Sequence, residues 1–178
     1  IDIIALWQGG ATYYGGLLLT LLGALFYLRR KGLSFFKVAD ICAPSIALGI
    51  FFTRIGCFLS GCCFGSPTAC PLGVSFPPDS PAGHLFPGSA VHPAQLYASF
   101  YGIFIFIVLM LFDRMRTKDG ILFALLCVLY GAARFTVDFF RYYEESAMMT
   151  ASLTVNQGMS IVLALFGLTL FVVLPRRE

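Results

Sequence analysis

The sequence predicts an all-α, polytopic bundle of transmembrane helices, and three observations carry that expectation. Hydrophobic residues make up 58% of the 178 residues and charged residues only 12%, about half the charged share of a soluble domain. The apolar residues collect into runs close to the ~20 residues that a helix needs to cross a bilayer. The basic residues between and after those runs collect on one side of an alternating topology.

Five segments follow in order, at about Thr12 to Leu28, Phe35 to Phe58, Ala94 to Phe112, Ile121 to Phe140 and Gln157 to Leu174. Each is rich in Leu, Ile and Phe, and several contain glycine and other small residues that let helices approach closely. With the connection 59–93 they are expected to form a single transmembrane domain over 1–178. The chain opens at Ile1 rather than a methionine, and upstream segments are expected to be missing. No secretory signal is read there, because Asp2, Trp7 and the Gly9-Gly10 pair interrupt any early apolar run.

Positive charge gives the orientation. Arg29, Arg30, Lys31 and Lys37 lie between the first two segments, Arg114, Arg116 and Lys118 between the third and fourth, and Arg176 and Arg177 after the fifth. In an alternating topology all of these share one side, which is expected to be cytoplasmic. The formal net charge of +3 is too small to argue for a nucleic-acid partner. The opposite, periplasmic side then carries the N-terminal stretch, the connection 59–93 and the connection 142–154. Seven of the nine prolines lie in 59–93, and a loop of ~35 residues without periodicity tends to be functional.

An ionisable residue within a span costs at least ~2.5 kcal/mol on insertion scales and normally faces a protein interior or polar cavity. Asp40, Arg54, Arg134 and Asp138 qualify. Asp40, near the cytoplasmic start of its segment, reads as a snorkelling or capped interfacial acid. Arg54 and Arg134 both approach the periplasmic leaflet. Asp138 follows Arg134 by one helical turn and can pair with it, whereas Arg54 has no obvious acidic partner. Two guanidiniums there suit an anionic phosphate, which arginine holds in fork geometry; a purely structural Arg134–Asp138 bridge is the alternative. Arg141 sits at the surface beyond them.

Cys57, Cys62 and Cys63, with Cys70 shortly after, place four thiols on the periplasmic side. Disulfides stapling the loop and reactive thiols activated by the nearby positive charge both remain open. A metal site with His84 or His92 lacks the paired CxxC spacing, so neither a metal nor another cofactor is expected. His92-Pro93-Ala94-Gln95-Leu96-Tyr97 begins the third segment, with Pro93 suited to a first helical turn. His92, Gln95 and Tyr97 read either as ordinary interfacial residues or as a polar site lining.

These motifs, in this order, resemble the prolipoprotein diacylglyceryl transferase family over nearly the whole chain. The resemblance rests on Trp7-Gln8-Gly9-Gly10 with Gly15-Gly16, on Arg54-Ile55-Gly56 through Gly65, on the His92 to Tyr97 motif, and on Tyr130-Gly131-Ala132-Ala133-Arg134 through Asp138-Phe139-Phe140-Arg141. Family members carry extra N-terminal hydrophobic segments, so the chain resembles the later part of a longer protein.

The resemblance implies transfer of the diacylglyceryl group of phosphatidylglycerol, or a similar anionic phospholipid, to a lipobox cysteine thiol of a secreted preprotein. Glycerol phosphate would leave on the periplasmic side of the inner membrane. It implies that Arg54 and Arg134 neutralise the phosphate, that Asp138 orients Arg134, and that Tyr130 and Gly65 match family positions. The substrate-binding set is then Gly15, Gly16, Gly65, His92, Gln95, Tyr97, Tyr130, Asp138 and Arg141. The chain departs from the family at three places. Tyr14 stands where the family has a histidine thought to activate the thiol, Cys57 replaces an asparagine, and Cys62 an acidic residue. Either Tyr14 substitutes in activation, or a thiolate of Cys62 or Cys63 attacks the lipid and passes the group on. The alternative is a non-lipidating paralogue that uses the cysteines for periplasmic thiol redox or thiol handling.

Overall fold

The computed structural model describes residues 12–114, 119–143 and 153–174, with side chains from residue 19 onward. The described residues form helices and no strand: α1 (Thr12–Arg30), α2 (Phe35–Leu59), α3 (Pro81–Leu85), α4 (Ala94–Asp113), α5 (Ile121–Asp138) and α6 (Val155–Val173). The chain divides into two compact units, 1–38 and 39–178. In the first, α1 ends at Arg30, whose guanidinium lies 4.5 Å from the Phe26 ring centroid, and the chain turns through Gly32 at φ +66°.

The second unit holds the other helices, of which α2, α4, α5 and α6 are long and apolar enough to cross a membrane. Small residues allow these helices to pack closely, as membrane interfaces require. A Cβ at Gly102 of α4 would lie 2.9 Å from the backbone nitrogen of Phe51 on α2, and Ser99 Oγ donates to the Phe51 carbonyl at 3.1 Å. Gly131 of α5 backs onto Ser160 and Ala164 of α6, and Gly167 of α6 backs onto Ala124 and Cys127 of α5. The core gathers Ala43, Ala47, Ala98, Tyr101, Ile105, Leu109, Leu122 and Leu126. Large apolar side chains such as Phe100, Leu111, Val162 and Val172 face outward. That inversion suits a hydrocarbon solvent and would be a liability in water. This is a helical membrane protein.

Asp40 fastens one end of the unit. Its fully buried carboxylate accepts from the backbone N–H groups of Gly120 at 2.7 Å and Phe123 at 2.9 Å. Gly120, at φ +90°, offers no side-chain cap to α5, so a carboxylate from α2 takes over the exposed amides at the positive end of the helix dipole. Of the two readings of Asp40, capping is the one observed.

At the other end the C-termini of α2 and α5 meet the N-termini of α4 and α6. The connection 59–93 contains α3, capped by the Ser80 hydroxyl, and its backbone bonds both within itself and to the chain leaving α5. Gly65 N–H donates to the His92 carbonyl at 2.9 Å, Ser66 N–H to Phe140 at 2.9 Å, and Val74 pairs with Val91. Residues 64–66 are thereby threaded between the start of α4 and the chain leaving α5.

Candidate functional site

Two side chains forced into apolar helices define the site. Arg134 of α5 is 11% exposed, and its Nη2 lies 3.4 Å from Asp138 Oδ1 and 3.0 Å from the Tyr143 hydroxyl, to which it donates. The buried Asp138 carboxylate also accepts from the hydroxyls of Tyr143 and Thr154. Thr154 in turn caps α6, in a reciprocal box with Gln157. One edge of the guanidinium is therefore fixed by a network joining α5, the chain after it and α6. The other is not: Arg134 Nη1 is buried without an acceptor among the described residues. Burial and its hydrogen bond to Asp138 push the Tyr143 hydroxyl pKa up, so Tyr143 stays a proton donor within this network.

Arg54 of α2 is half-buried. Its titratable neighbours are Tyr101, Tyr130, Cys63 and Cys57. Tyr101 of α4 lies within electrostatic range of both Arg54 and Arg134, and its buried hydroxyl lies beside that of Tyr130. The Tyr101 and Tyr130 rings meet edge to face with centroids 5.9 Å apart. Two cations from different helices thus lie within electrostatic range of one buried phenol. Tyr101 was missed from the sequence, although it lies one helical turn after Tyr97 in an otherwise apolar segment.

The remaining motif residues build the walls. Gln95 is 1% exposed, and its Nε2 donates to the Cys62 carbonyl at 2.7 Å, tying α4 to the cysteine turn. His92 Nδ1 lies 3.3 Å from the Tyr97 hydroxyl, and the Phe140 ring closes on both. The N-cap is Pro93 and the helix starts at Ala94, so His92 precedes the cap. Arg141 lies over the Tyr143 ring, with its Nε buried and unpartnered. It helps line a cleft of about 240 Å³ with Ser66, Asp138, Tyr142, Tyr143, Thr154 and Gln157.

Gly65 has a packing reason to be glycine. A Cβ there would run into the Phe140 carbonyl and come within 2.6 Å of His92 Cβ. Backbone lines one side, so the clash cannot relax by a rotamer change. Gly65→Ala is expected to destabilise the protein by about 1–3 kcal/mol, as overpacking does, and to depress activity by parting residues 64–66 from the chain on either side. Thermal unfolding in detergent, read beside activity, tests both.

Tyr14, Gly15 and Gly16 lie on α1 in the unit 1–38. Their side chains lie outside the described residues, as does the whole Trp7-Gln8-Gly9-Gly10 motif.

Six cysteines lie among the described residues. All are free thiols among the described residues, and Cys70 does not join the others. The sulfurs of Cys57, Cys62 and Cys63 lie within 4.8 Å of one another. Burial pushes the Cys62 thiol up to about 11, with Cys63 and Cys57 adding to the rise. Desolvation is the largest influence at Cys62, ahead of the two neighbouring thiols. Cys62 is accordingly protonated at neutral pH and a poor nucleophile. Its thiolate fraction grows about tenfold per pH unit below the pKa, so its alkylation by iodoacetamide should be slow at pH 7 and keep rising towards pH 11. Mass-spectrometric alkylation kinetics check this; a rate already level at neutral pH would contradict it.

A family model described as prolipoprotein diacylglyceryl transferase matches residues 1–173. The chain is similar to curated proteins named phosphatidylglycerol–prolipoprotein diacylglyceryl transferase. With that of Geobacter sulfurreducens it shares 33% identity over all of this chain and 66% of the relative. With that of Bordetella avium the identity is 35% over the same shares, and with that of Clostridium tetani it is 33% over 91% of this chain and 63% of the relative. The chain therefore spans slightly less than two thirds of the length of these relatives. With nearly every residue inside the family match, and the paired arginines set in one unit of the fold, the chain belongs to the prolipoprotein diacylglyceryl transferase family.

Proposed function

We propose that the chain is a membrane transferase that moves the diacylglyceryl group of phosphatidylglycerol, or a similar anionic phospholipid, to the thiol of a secreted preprotein. The observation that carries this reading is Arg134, whose buried Nη1 has no acceptor among the described residues, within electrostatic range of the same Tyr101 as Arg54. A phosphodiester seated there satisfies all three groups at once. The thiolate sulfur attacks the glyceryl carbon, the bond from that carbon to the phosphate oxygen breaks, and its electron pair leaves with glycerol phosphate. Arg54 and Arg134 hold the charge that builds on that oxygen, which preorganised cations do at little reorganisation cost. Tyr101 donates to the same phosphate, and Asp138 orients Arg134 without touching substrate.

The same reading makes 1–178 one transmembrane domain with five spans in the bacterial inner membrane, with the site and the connection 59–93 on the periplasmic side. The basic residues at the opposite helix ends support that orientation. The acyl chains extend from the site into lipid along the outward apolar faces. His92, Gln95, Tyr97 and Arg141 complete the substrate surface of this unit, and Tyr14, Gly15 and Gly16 of α1 are assigned to substrate by the family resemblance alone. The names of the relatives lend no support to thiol redox as the main activity.

The test uses the chain in vesicles that contain phosphatidylglycerol labelled in its head-group glycerol, with a lipobox peptide as acceptor. Released labelled glycerol phosphate and a peptide heavier by one diacylglyceryl group are expected. If neither forms while the arginines still bind the lipid, the protein is a phospholipid-binding relative without the transfer step.

A further inference from the structure

The mechanism above leaves the sulfur triad unused. Cys57 stands in the last turn of α2, and the chain then reverses through two left-handed residues, Gly61 at φ +65° and Cys63 at φ +61°. Cys63 is the one non-glycine residue with positive φ among the described residues. The reversal is held on both sides. Cys62 N–H donates back to the Cys57 carbonyl at 3.1 Å, Ala82 N–H donates to the Gly61 carbonyl at 3.1 Å, and the Gln95 side chain holds the Cys62 carbonyl at 2.7 Å. A strained backbone conformation that its surroundings over-determine is where a functional constraint is expected. Its outcome is that Cys62 and Cys63 return onto Cys57, with all three sulfurs within 4.8 Å of one another.

We propose that Cys57, Cys62 and Cys63 form a three-thiolate site for one thiophilic d10 cation, zinc(II) or copper(I). Thiolate ligands select these ions over hard cations. Around a tetrahedral zinc with Zn–S of ~2.3 Å, ligand sulfurs stand ~3.8 Å apart, so the triad needs an inward shift of no more than about 1 Å. A disulfide uses two sulfurs and strands the third; a metal uses all three. No histidine or carboxylate joins the group among the described residues, which leaves the fourth tetrahedral position of zinc to an external water or thiol, and suits copper(I) as a trigonal site. Metal uptake releases the three S–H protons. The bound site carries net negative charge, and Arg54, within electrostatic range of Cys57 and Cys63, offsets it. The spacing Cys-x4-Cys-Cys hides the site from a search for paired CxxC, because the left-handed turn brings the sulfurs together.

The test takes the whole chain in detergent, with all thiols reduced and counted, and titrates it with cobalt(II) as a spectroscopic stand-in for zinc and, separately, with copper(I) held by a competing chelator. A sulfur-to-cobalt charge-transfer band that saturates at one ion per chain and is bleached by zinc supports the zinc form. Removal of one copper(I) per chain from the chelator, without a cobalt band, supports the copper form. Either signal should be lost in Cys57→Ser, Cys62→Ser and Cys63→Ser and kept in Cys42→Ser and Cys70→Ser, each checked for helical circular dichroism. No uptake of any of these ions by fully reduced protein overturns the proposal, as does uptake that survives in the triple serine variant. Binding is read without lipid or acceptor, so its failure leaves the transferase reading intact.

Discussion

Arg134→Lys and Arg134→Ala are both expected to lower the rate of diacylglyceryl transfer by about 100-fold or more, the scale seen when one preorganised charge-stabilising donor is removed. The reason lies in how the guanidinium is divided. Its Nη2 is committed to Asp138 and Tyr143, while the buried Nη1 has no acceptor among the described residues. A fork of fixed geometry can face the carboxylate and a phosphate at the same time. A lysine ammonium is a single point of charge on a flexible stem; it can keep the Asp138 pair or reach the phosphate, and cannot do both at these positions. Arg134→Lys should therefore retain most of the thermal stability while losing activity, and Arg134→Ala should lose both. Full activity in Arg134→Lys would mean that Arg134 is only a structural partner of Asp138. Arg54 is half-buried and has no such carboxylate network among the described residues, so Arg54→Lys is expected to be the milder change. Comparing the two lysine variants in the vesicle assay separates a seated phosphate from general attraction to an anionic lipid surface.

What the sequence made legible follows the size of the energetic penalty involved. Transmembrane helices are legible because a polar backbone must satisfy itself in lipid, and α2, α4, α5 and α6 occupy the apolar runs. Arg54, Arg134 and Asp138 stood out for the same reason: a charge in a span is expensive and needs a cause. Asp40 was legible as a capped acid, but its partners Gly120 and Phe123 lie eighty residues and more away, where periodicity says nothing.

Groups with small penalties stayed hidden. Tyr101 resembles any aromatic in a hydrophobic helix until the two arginines are placed beside it. Tyr143 and Thr154 lie in or beside a polar connection where hydroxyls are ordinary, and only the fold shows both donating to Asp138. The sulfur triad depends on the positive φ at Cys63, which no spacing rule encodes. At Cys62 desolvation and the two neighbouring thiols raise the pKa, and neither is legible from residue spacing.

Asp138→Ala is expected to be the most destabilising single change at the site, at about 3–5 kcal/mol, the cost of breaking a buried pair by removing one partner. The carboxylate is 3% exposed and is shared by Arg134, Tyr143 and Thr154. Its removal strands a buried cation and two hydroxyls, and deprives the α6 cap of its anchor to α5. Thr154→Ala removes only the cap and one donor, and should cost about 0.5–2 kcal/mol while leaving most of the activity. The sign of the coupling decides whether Asp138 acts through Arg134. If the damage in Asp138→Ala comes mainly from the orphaned guanidinium, then Arg134→Ala/Asp138→Ala should be more stable than Asp138→Ala alone, because the second change removes the uncompensated charge. Both proteins should be inactive. Thermal unfolding of the wild type, the two single variants and the double variant in one detergent closes this cycle. Additive losses would mean that the carboxylate holds α5 and α6 together through Tyr143 and Thr154, and that Arg134 is aimed by its packing alone.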